Sequence, residues 1–271
     1  MNITFIGGGN MAAAMIGGLL KREWTPASIR VVEIAAAARE RIEREFRVRT
    51  DAETSASSAA ADCIVLAVKP QNMREVARAL RPFLGAQLLI SIAAGIRMLD
   101  LSRWLAGYRR IVRVMPNTPA LVRAGISGLC AMPAVSADDR ARAQDILSAI
   151  GTTLWLESED KLDAVTAVSG SGPAYVFYFI EALQQAASEL GFQPEDARRL
   201  ALETFAGAVR LIAESGEDAA VLRARVTSKG GTTERALAVM DARALRRIVA
   251  DAVRAAAERS RELGEELGRS D

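Results

Sequence analysis

The chain has 271 residues, half of them hydrophobic, which is enough for one large core or two ordinary ones. The formal net charge is only +2 and the charged residues of both signs are interleaved, which argues against a nucleic-acid partner. We expect no membrane partner and a cytoplasmic location, because the apolar runs are short and the N-terminus has no secretion-signal pattern. The absence of histidine excludes Ser-His-Asp, Cys-His and His-metal chemistry, and two isolated cysteines predict neither a metal site nor a disulfide.

Short β-branched runs alternate with helical stretches over roughly the first 115 residues, which is typical of a parallel sheet flanked by helices. Several runs are apolar at consecutive positions, as expected for strands buried on both faces. We predict strands at Ile3–Ile6, Ile29–Ile34, Arg47–Thr50, Cys63–Val68, Leu88–Ile92 and Ile111–Val114, extended by Gly128–Met132 and Thr152–Leu156 around a helix that starts near Ser136. The pattern predicts an α/β, doubly wound sheet of the Rossmann type in residues 1–158.

The first strand leads into Gly7-Gly8-Gly9-Asn10-Met11-Ala12, a G-x-G-x-x-A fingerprint that opens an apolar helix. Glycine at position 7 permits a tight turn, glycine at position 9 lets a pyrophosphate approach the backbone, and Ala12 allows close packing. Glycines also occur in ordinary turns, but the strand before and the helix after them favour a dinucleotide site on the helix N-terminus.

Glu33, at the end of the second strand, is the acid that this fingerprint requires about 20 residues further on. A carboxylate there accepts hydrogen bonds from a ribose 2′-hydroxyl and repels a 2′-phosphate, which favours NADH over NADPH. Two alternatives stay open: Glu33 is a solvated strand end, or the nearby Arg39 contacts a 2′-phosphate. The expected cofactor is therefore NADPH or NADH, with a slight preference for NADH.

Further strand ends carry Val68-Lys69-Pro70, Ala93-Ala94-Gly95 and Met115-Pro116-Asn117-Thr118-Pro119. The carboxyl ends of the strands line the ligand crevice of a doubly wound sheet, and prolines fix loop geometry. On spacing alone, Lys69 is equally well explained as an exposed charge at a strand end.

Residues 159–271 read almost entirely as helix, with helices opening at Pro173 and Pro194. An apolar stripe on one later helix is either buried in its own domain or forms a subunit interface: Leu245, Ile248, Val249, Ala252, Val253 and Ala256. The segment after Leu263 is polar and is expected to fray.

Two hydroxyl- and glycine-rich segments interrupt these helices. In Ser169-Gly170-Ser171-Gly172-Pro173, the glycines indicate a sharp break or the close approach of another backbone, and capping by Ser171 is the simpler reading. The second segment is Thr227-Ser228-Lys229-Gly230-Gly231-Thr232-Thr233-Glu234. Hydroxyls and N–H groups at a helix start suit a small carboxylate, although ordinary capping explains part of the pattern.

These motifs together resemble those of the pyrroline-5-carboxylate reductase family. The matching segments are the fingerprint from Ile6, Ala67-Val68-Lys69-Pro70, Ser91-Ile92-Ala93-Ala94-Gly95, Arg113 to Pro119, Ser169 to Tyr175 and Ser228 to Thr233, in family order. The resemblance implies a Rossmann domain, then an all-helical dimerisation domain whose dimers assemble into larger rings. It also implies hydride transfer from NAD(P)H to the imine carbon of 1-pyrroline-5-carboxylate, which gives L-proline.

By this resemblance, Thr233 and Ser228 are the catalytic candidates, and the substrate set is Glu159, Ser228, Gly230, Gly231, Thr232 and Thr233. The predicted cofactor set is Ile6, Gly7, Gly8, Gly9, Asn10, Met11, Glu33, Thr54, Ala67, Val68, Lys69, Pro70, Ala93, Ala94, Gly95 and Asn117. Two positions depart from the family pattern: Glu33 replaces Ser, Asn or Arg, and Arg225 replaces an amide near the substrate. An imine nitrogen takes its proton from water or a hydroxyl, which explains how such an enzyme works without histidine.

Two rival functions make different demands on the chain. A β-hydroxyacid dehydrogenase needs a lysine acid in the helical half, where only Lys161 and Lys229 are available. A non-catalytic, nucleotide-sensing scaffold would bind the cofactor without imine-dependent oxidation.

Overall fold

The structure is a computed structural model that describes residues 1–269, and these residues divide into two compact units. The first comprises Met1–Ser171 together with the chain from Ala256 onward, and the second comprises Gly172–Ala255. The strands all lie in the first unit, and the second unit is helical.

Within the described residues, eight strands form one sheet in the order β3-β2-β1-β4-β5-β6-β7-β8. They are β1 (Ile3–Ile6), β2 (Ile29–Val32), β3 (Arg49–Asp51), β4 (Cys63–Leu66), β5 (Leu88–Ser91), β6 (Ile111–Met115), β7 (Gly125–Ala131) and β8 (Gly151–Trp155). Neighbours from β3 to β6 are parallel, β7 is antiparallel to β6, and β8 is parallel to β7. The order reverses between β1 and β4, which creates the crevice of a doubly wound sheet.

The predicted sheet is confirmed, including the extension by the last two strands. β1 and β4 are buried at every position, as consecutive apolar residues predict for strands covered on both faces. The predicted ends differ by a few residues, because a strand ends where its ladder partner turns away.

Helices cover both faces of the sheet and build the second unit. They are α1 (Asn10–Lys21), α2 (Ala36–Phe46), α3 (Ala56–Ala59), α4 (Met73–Leu80), α5 (Met98–Trp104), α6 (Ala137–Ser148), α7 (Lys161–Val165), α8 (Gly172–Glu189), α9 (Pro194–Ser215), α10 (Ala219–Arg225), α11 (Thr232–Ala242) and α12 (Leu245–Arg269). Short 3₁₀ turns lie at Pro26–Ser28, Pro70–Asn72, Arg81–Phe83 and Thr118–Val122, and a π-helical turn lies at Thr166–Gly170. No helix within residues 1–269 combines the length and hydrophobicity needed to cross a membrane.

One of the two glycines expected to break a helix lies in the π-helical turn. A Cβ on Gly170 would lie 2.7 Å from Met115 Cε, so the neighbour that approaches it is a flexible side chain and not another backbone. Gly172 has open space around its Cβ position among the described atoms, and it simply begins α8.

The second unit exposes much of its apolar surface. Ile248 and Val249 on the α12 stripe are 57% and 38% exposed, and Phe177 and Tyr178 on α8 are 60% and 72% exposed. The stripe is therefore not buried within its own unit, and this favours the subunit-interface alternative.

The end of α12 differs from expectation. The helix continues to Arg269 without fraying at Leu263, and Gly264 is buried. A packed helix face is usually recognised in a sequence by a stripe of large apolar residues. The packed face at this end of α12 consists of small residues and one leucine, so the sequence did not indicate it.

An ion pair between a buried arginine and a half-buried glutamate connects three segments of the first unit. Arg113 on β6 is 6% exposed and donates from Nη1 to Glu159 Oε1 at 2.8 Å. The same oxygen accepts the main-chain N–H of Met98, at the start of α5, at 2.7 Å. Glu159 thereby connects the chain after β8 to β6 and to the loop that follows β5.

The two cysteines, Cys63 and Cys130, are free and buried within the described structure, as expected for reduced core residues. Burial raises the pKa of the Cys63 thiol, and burial together with the Glu159 carboxylate raises the pKa of Cys130. Neither thiol is thus activated as a nucleophile.

Two adjacent glycines in α1 provide a matched test of packing. A Cβ on Gly18 would lie 2.3 Å from the carbonyl oxygen of Ala149, whereas a Cβ on Gly17 would lie 3.4 Å from the ring of Phe46. We expect Gly18→Ala to lower the free energy of unfolding by about 2 kcal/mol through overpacking. Gly17→Ala should leave it unchanged or raise it by up to about 1 kcal/mol. Urea unfolding measures both, and equal effects would contradict this packing.

The ion pair gives a second stability test. Arg113→Leu should lower the free energy of unfolding by about 3 kcal/mol, because it leaves the Glu159 carboxylate without its counter-charge. The double variant with Glu159→Leu removes the unpaired charge and should recover part of that loss. A double variant less stable than Arg113→Leu would show that the carboxylate does not depend on Arg113.

Candidate active site

The predicted cofactor residues follow the carboxyl ends of the parallel strands and therefore lie along one edge of the sheet. Ile6 ends β1 and Gly7 to Met11 follow it, Glu33 follows β2, Thr54 follows β3, Ala67 to Pro70 follow β4, Ala93 to Gly95 follow β5, and Asn117 follows β6. The sheet thus brings to one edge residues that are far apart in sequence.

The glycine turn after β1 has the geometry that the fingerprint requires. Gly7 has φ +100°, and a Cβ there would lie 2.5 Å from the carbonyl oxygen of Ala67. Ala12 is fully buried. No described atom lies within 4 Å of the position that a Cβ of Gly9 would take, so the backbone is open at the start of α1. Gly9 caps α1 without a side-chain hydrogen bond, which leaves the N-terminal N–H groups suited to a phosphate.

Glu33 is fixed beside this turn by two main-chain donors. Its Oε2 accepts the N–H of Gly8 at 2.8 Å, and its Oε1 accepts the N–H of Ala35 at 2.9 Å. The side chain is half-buried, so Glu33 is held at the strand end instead of projecting freely into solvent. A fixed carboxylate at this place has the position and charge expected for a ribose hydroxyl acceptor.

Two guanidinium groups lie near the same corner. Arg39 Nη1 donates to the carbonyl oxygens of Glu33 and Ile34 at 2.8 and 2.9 Å. Arg41 Nη2 donates to the carbonyl oxygen of Gly8 at 3.1 Å. The corner therefore presents positive as well as negative charge, and the contact of Arg39 with a 2′-phosphate stays a prediction.

The other predicted cofactor positions differ in what their side chains can offer. Lys69 and Ala94 are exposed, and Thr54 is half-buried. Asn117 is buried, and its Oδ1 accepts the N–H of Ile126 at 2.9 Å. The NH2 group of its side chain is left to donate to a ligand. The exposed Lys69 fits both of the readings that its sequence position allowed.

The predicted substrate loop lies in the second unit, between α10 and α11. Ser228 closes a turn by accepting the N–H of Gly231 with its carbonyl oxygen at 3.0 Å, and Gly230 has φ +75°. Gly231 caps α11 without a side-chain hydrogen bond, so the first turn of the helix offers main-chain donors beside the Ser228 hydroxyl. A Cβ on Gly231 would lie 2.5 Å from Ser228 Oγ, so this position needs glycine.

The loop also contains an acidic group that the motif did not predict as a contact. Glu234 Oε2 accepts the N–H of Gly230 at 2.6 Å, so that donor is already used. A substrate carboxylate would therefore rely on Ser228 and on the N–H groups of Thr232 and Thr233. Arg225, which departs from the family pattern, makes a two-pronged ion pair with Glu217 at 2.5 and 2.6 Å.

Glu159 lies in the first unit, and its contacts go to Arg113 and to the N–H of Met98. These partners give the residue a structural task, and its contact with a substrate amine stays a prediction. Lys161, one of the two lysines that a β-hydroxyacid dehydrogenase could use, is 56% exposed and pairs with Glu157 at 3.0 Å. That lysine is engaged on the surface of its unit.

Three residues near the predicted sites were not among the predicted site residues: Arg41, Arg113 and Glu234. Arg41 and Glu234 each contact a glycine main-chain group of a predicted site, and Arg113 holds Glu159. Arg113 alone carried a signal, since it is a charged residue inside an otherwise apolar strand.

Comparison with known protein families gives two matches in separate parts of the chain. Residues 159–263 match the family model described as pyrroline-5-carboxylate reductase dimerisation. Residues 2–95 match the model described as NADP oxidoreductase coenzyme F420-dependent. The first match supports homo-oligomerisation through the helical half, consistent with its exposed apolar surface.

Similar proteins cover nearly the whole chain. A pyrroline-5-carboxylate reductase of Pseudomonas aeruginosa is 47% identical, with 98% of both chains covered. That of Haemophilus influenzae is 43% identical, over 96% of this chain and 97% of its own.

Solved structures agree. A pyrroline-5-carboxylate reductase of Coxiella burnetii has a TM-score of 0.92 at 41% identity, with 97% of this chain and 98% of that chain covered. The pyrroline carboxylate reductase of Plasmodium falciparum, solved with NADP bound, has a TM-score of 0.85 at 30% identity over the same shares. The chain therefore belongs to the pyrroline-5-carboxylate reductase family of NAD(P)H-dependent oxidoreductases.

Proposed function

We propose that this protein reduces the imine of 1-pyrroline-5-carboxylate to L-proline, with a reduced nicotinamide dinucleotide as the hydride donor. The observation that carries the proposal is the similarity, over nearly the full length, to proteins named pyrroline-5-carboxylate reductase. The open glycine turn at the start of α1 and the main-chain donors at the start of α11 supply the two binding features that the reaction needs.

The residues of the first unit bind and orient the dinucleotide. The N–H groups at the start of α1 face open space at Gly9 and suit its diphosphate. Glu33 suits a ribose hydroxyl, and the small residues Ala93 and Ala94 leave room beside the end of β5. Correct orientation of the reacting groups supplies much of the rate enhancement in such enzymes.

The loop from Ser228 to Thr233 holds the substrate. The Ser228 hydroxyl and the N–H groups of Thr232 and Thr233 donate hydrogen bonds to the substrate carboxylate, aided by the positive end of the α11 dipole. The Glu234 carboxylate repels the substrate carboxylate, because it lies in the same loop, where it accepts the N–H of Gly230. Binding therefore depends on the donors that Glu234 leaves free.

The proton for the imine nitrogen comes through Thr233, either from its hydroxyl or from water that the hydroxyl orients. Thr233 is half-buried at the start of α11. A hydroxyl is a sufficient source because the imine nitrogen is basic, and the Thr233 oxygen regains its proton from water.

The organisation of the protein follows from these roles. Residues 1–158 serve as the nucleotide-binding domain, and residues 159–271 serve as the substrate-binding and dimerisation domain. The division is supported by the family models, which match residues 2–95 and 159–263. Dimers assemble further into a larger ring, and the protein acts in the cytoplasm.

The preferred cofactor in this proposal is NADH, because Glu33 is fixed where a 2′-phosphate would meet its charge. Glu33→Ser removes that charge and should raise kcat/KM with NADPH relative to NADH by about tenfold, which corresponds to about 1.4 kcal/mol. Glu40→Ser, the same change on an exposed residue of α2, is the control. Spectrophotometric assays with each nucleotide measure the ratio, and an unaltered ratio in Glu33→Ser would reject the role of Glu33.

The role of Thr233 is tested by comparing two substitutions. Thr233→Ala should lower kcat with 1-pyrroline-5-carboxylate about a hundredfold, as expected for loss of a proton donor. Thr233→Ser keeps the hydroxyl and should retain most of the turnover. Full turnover in Thr233→Ala would show that water protonates the imine without this residue.

A further inference from the structure

The last turns of α12 form a packed face that the mechanism has not used. Ser260, Gly264, Leu267 and Gly268 are spaced i, i+4, i+7 and i+8, and so lie on one side of the helix. Ser260 is 6% exposed and its hydroxyl donates to Asp163 Oδ1 at 2.7 Å. Leu267 packs against the hydrophobic core of the first unit. The opposite side carries exposed ion pairs, including those of Arg259 with Glu262 and Glu266.

This face lies directly against the loop that follows β5. Gly95 has φ +77°, and a Cβ there would lie 3.0 Å from Leu267 Cδ1. A Cβ on Gly264 would lie 3.3 Å from both the carbonyl oxygen of Gly95 and Nε of Arg97. The helix backbone and the loop backbone are therefore too close for a side chain to fit easily between them.

The residues after Gly95 are held from two directions. The N–H of Met98 donates to Glu159 at 2.7 Å, and Arg103 donates to the carbonyl oxygen of Gly268 at 2.7 Å. A Cβ on Gly268 would lie 2.5 Å from Asp100 Oδ2. The end of α12 is thus fastened to α5 as well as to the loop before it.

Gly264 and Gly268 lie inside α12, and the contact with the loop after β5 and with α5 accounts for them better than the helix itself does. Glycine disfavours a helix interior relative to alanine, and neither Gly264 nor Gly268 has a positive φ that would require it. A side chain at Gly264 would press on the Gly95 carbonyl oxygen and Arg97, and one at Gly268 would displace the Asp100 side chain. The end of the chain is therefore built to meet this loop.

We propose that the C-terminal segment Ser260–Arg269 positions the loop Ala93–Gly95 for the dinucleotide, with Leu267 as the main positioning residue. This inference rests on the proposed function, which assigns Ala93, Ala94 and Gly95 to cofactor binding. Such a loop of small residues makes few side-chain contacts of its own, and its ordering would otherwise oppose nucleotide binding. The helix holds the loop in place before the nucleotide arrives, and this preorganisation strengthens binding.

The test measures nucleotide binding in the absence of substrate. Leu267→Ala removes the side chain beside Gly95 while keeping a good helix former. It should raise the dissociation constant of the preferred reduced nucleotide, measured by fluorescence titration, about tenfold. Hydrogen exchange at Ala94 to Arg97 should become faster in the nucleotide-free protein. Leu267→Met, which conserves volume, should restore binding.

Leu263→Ala is the matched control, since it makes the same change four residues earlier in α12. The atom of Leu263 nearest to the Gly95 Cβ position is its main-chain carbon, at 3.7 Å, which the substitution keeps, so binding should be unaltered. A chain ending at Leu263 removes Leu267 and Gly268 together and should weaken binding at least as much as Leu267→Ala. Equal dissociation constants for Leu267→Ala and the wild type would overturn the inference, even if the melting temperature falls.

Failure of this inference can be distinguished from failure of the proposed function. If the wild-type protein binds neither NADH nor NADPH, the proposed function is wrong. If it binds one of them and a larger residue at the exposed Ala94, as in Ala94→Leu, weakens binding while Leu267→Ala does not, the loop binds the nucleotide but the helix does not position it.

Discussion

The close approach of two backbones at Gly7 is the constraint on which the nucleotide half depends. Gly7 turns the chain out of β1 with φ +100°, and its Cα faces the carbonyl oxygen of Ala67 at the end of β4. These two strands are the neighbours between which the strand order reverses. Any side chain at Gly7 would force the turn away from β4. It would also move the start of α1 and the Gly8 N–H that fixes Glu33, so one steric condition governs the positions of both groups predicted to contact the dinucleotide.

The predicted binding sites consist mainly of main-chain groups and small side chains in place of strong acids or bases. The N–H groups at two helix starts, α1 and α11, lack side-chain caps among the described residues, and each lies beside glycines that expose the backbone. Uncapped helix starts weaken a helix but offer ready-made anion sites. Charged side chains then modulate these sites: Glu33 at the first and Glu234 at the second.

The fold and the family were predictable from the sequence because the signals are local. Buried parallel strands have continuous apolar runs, and the glycine turn follows its strand directly, so all eight strands of the described chain and the family assignment are confirmed. Long-range contacts left no such signal. The partners of Glu159, the contact of Glu234 with Gly230 and the packing of Gly264 depend on which segments meet in space. The segment after Leu263 was wrongly expected to fray. In a sequence, glycines that allow close packing cannot be distinguished from glycines in a flexible polar segment.

The two buried thiols can serve as built-in probes of unfolding. Cys63 lies in β4, near the middle of the sheet, and Cys130 lies in β7, close to its β8 edge. A reagent that modifies only accessible thiolates reaches each one when the strand around it opens. Comparison of the two modification rates would separate loosening of the sheet edge from loss of the entire domain, without any introduced probe.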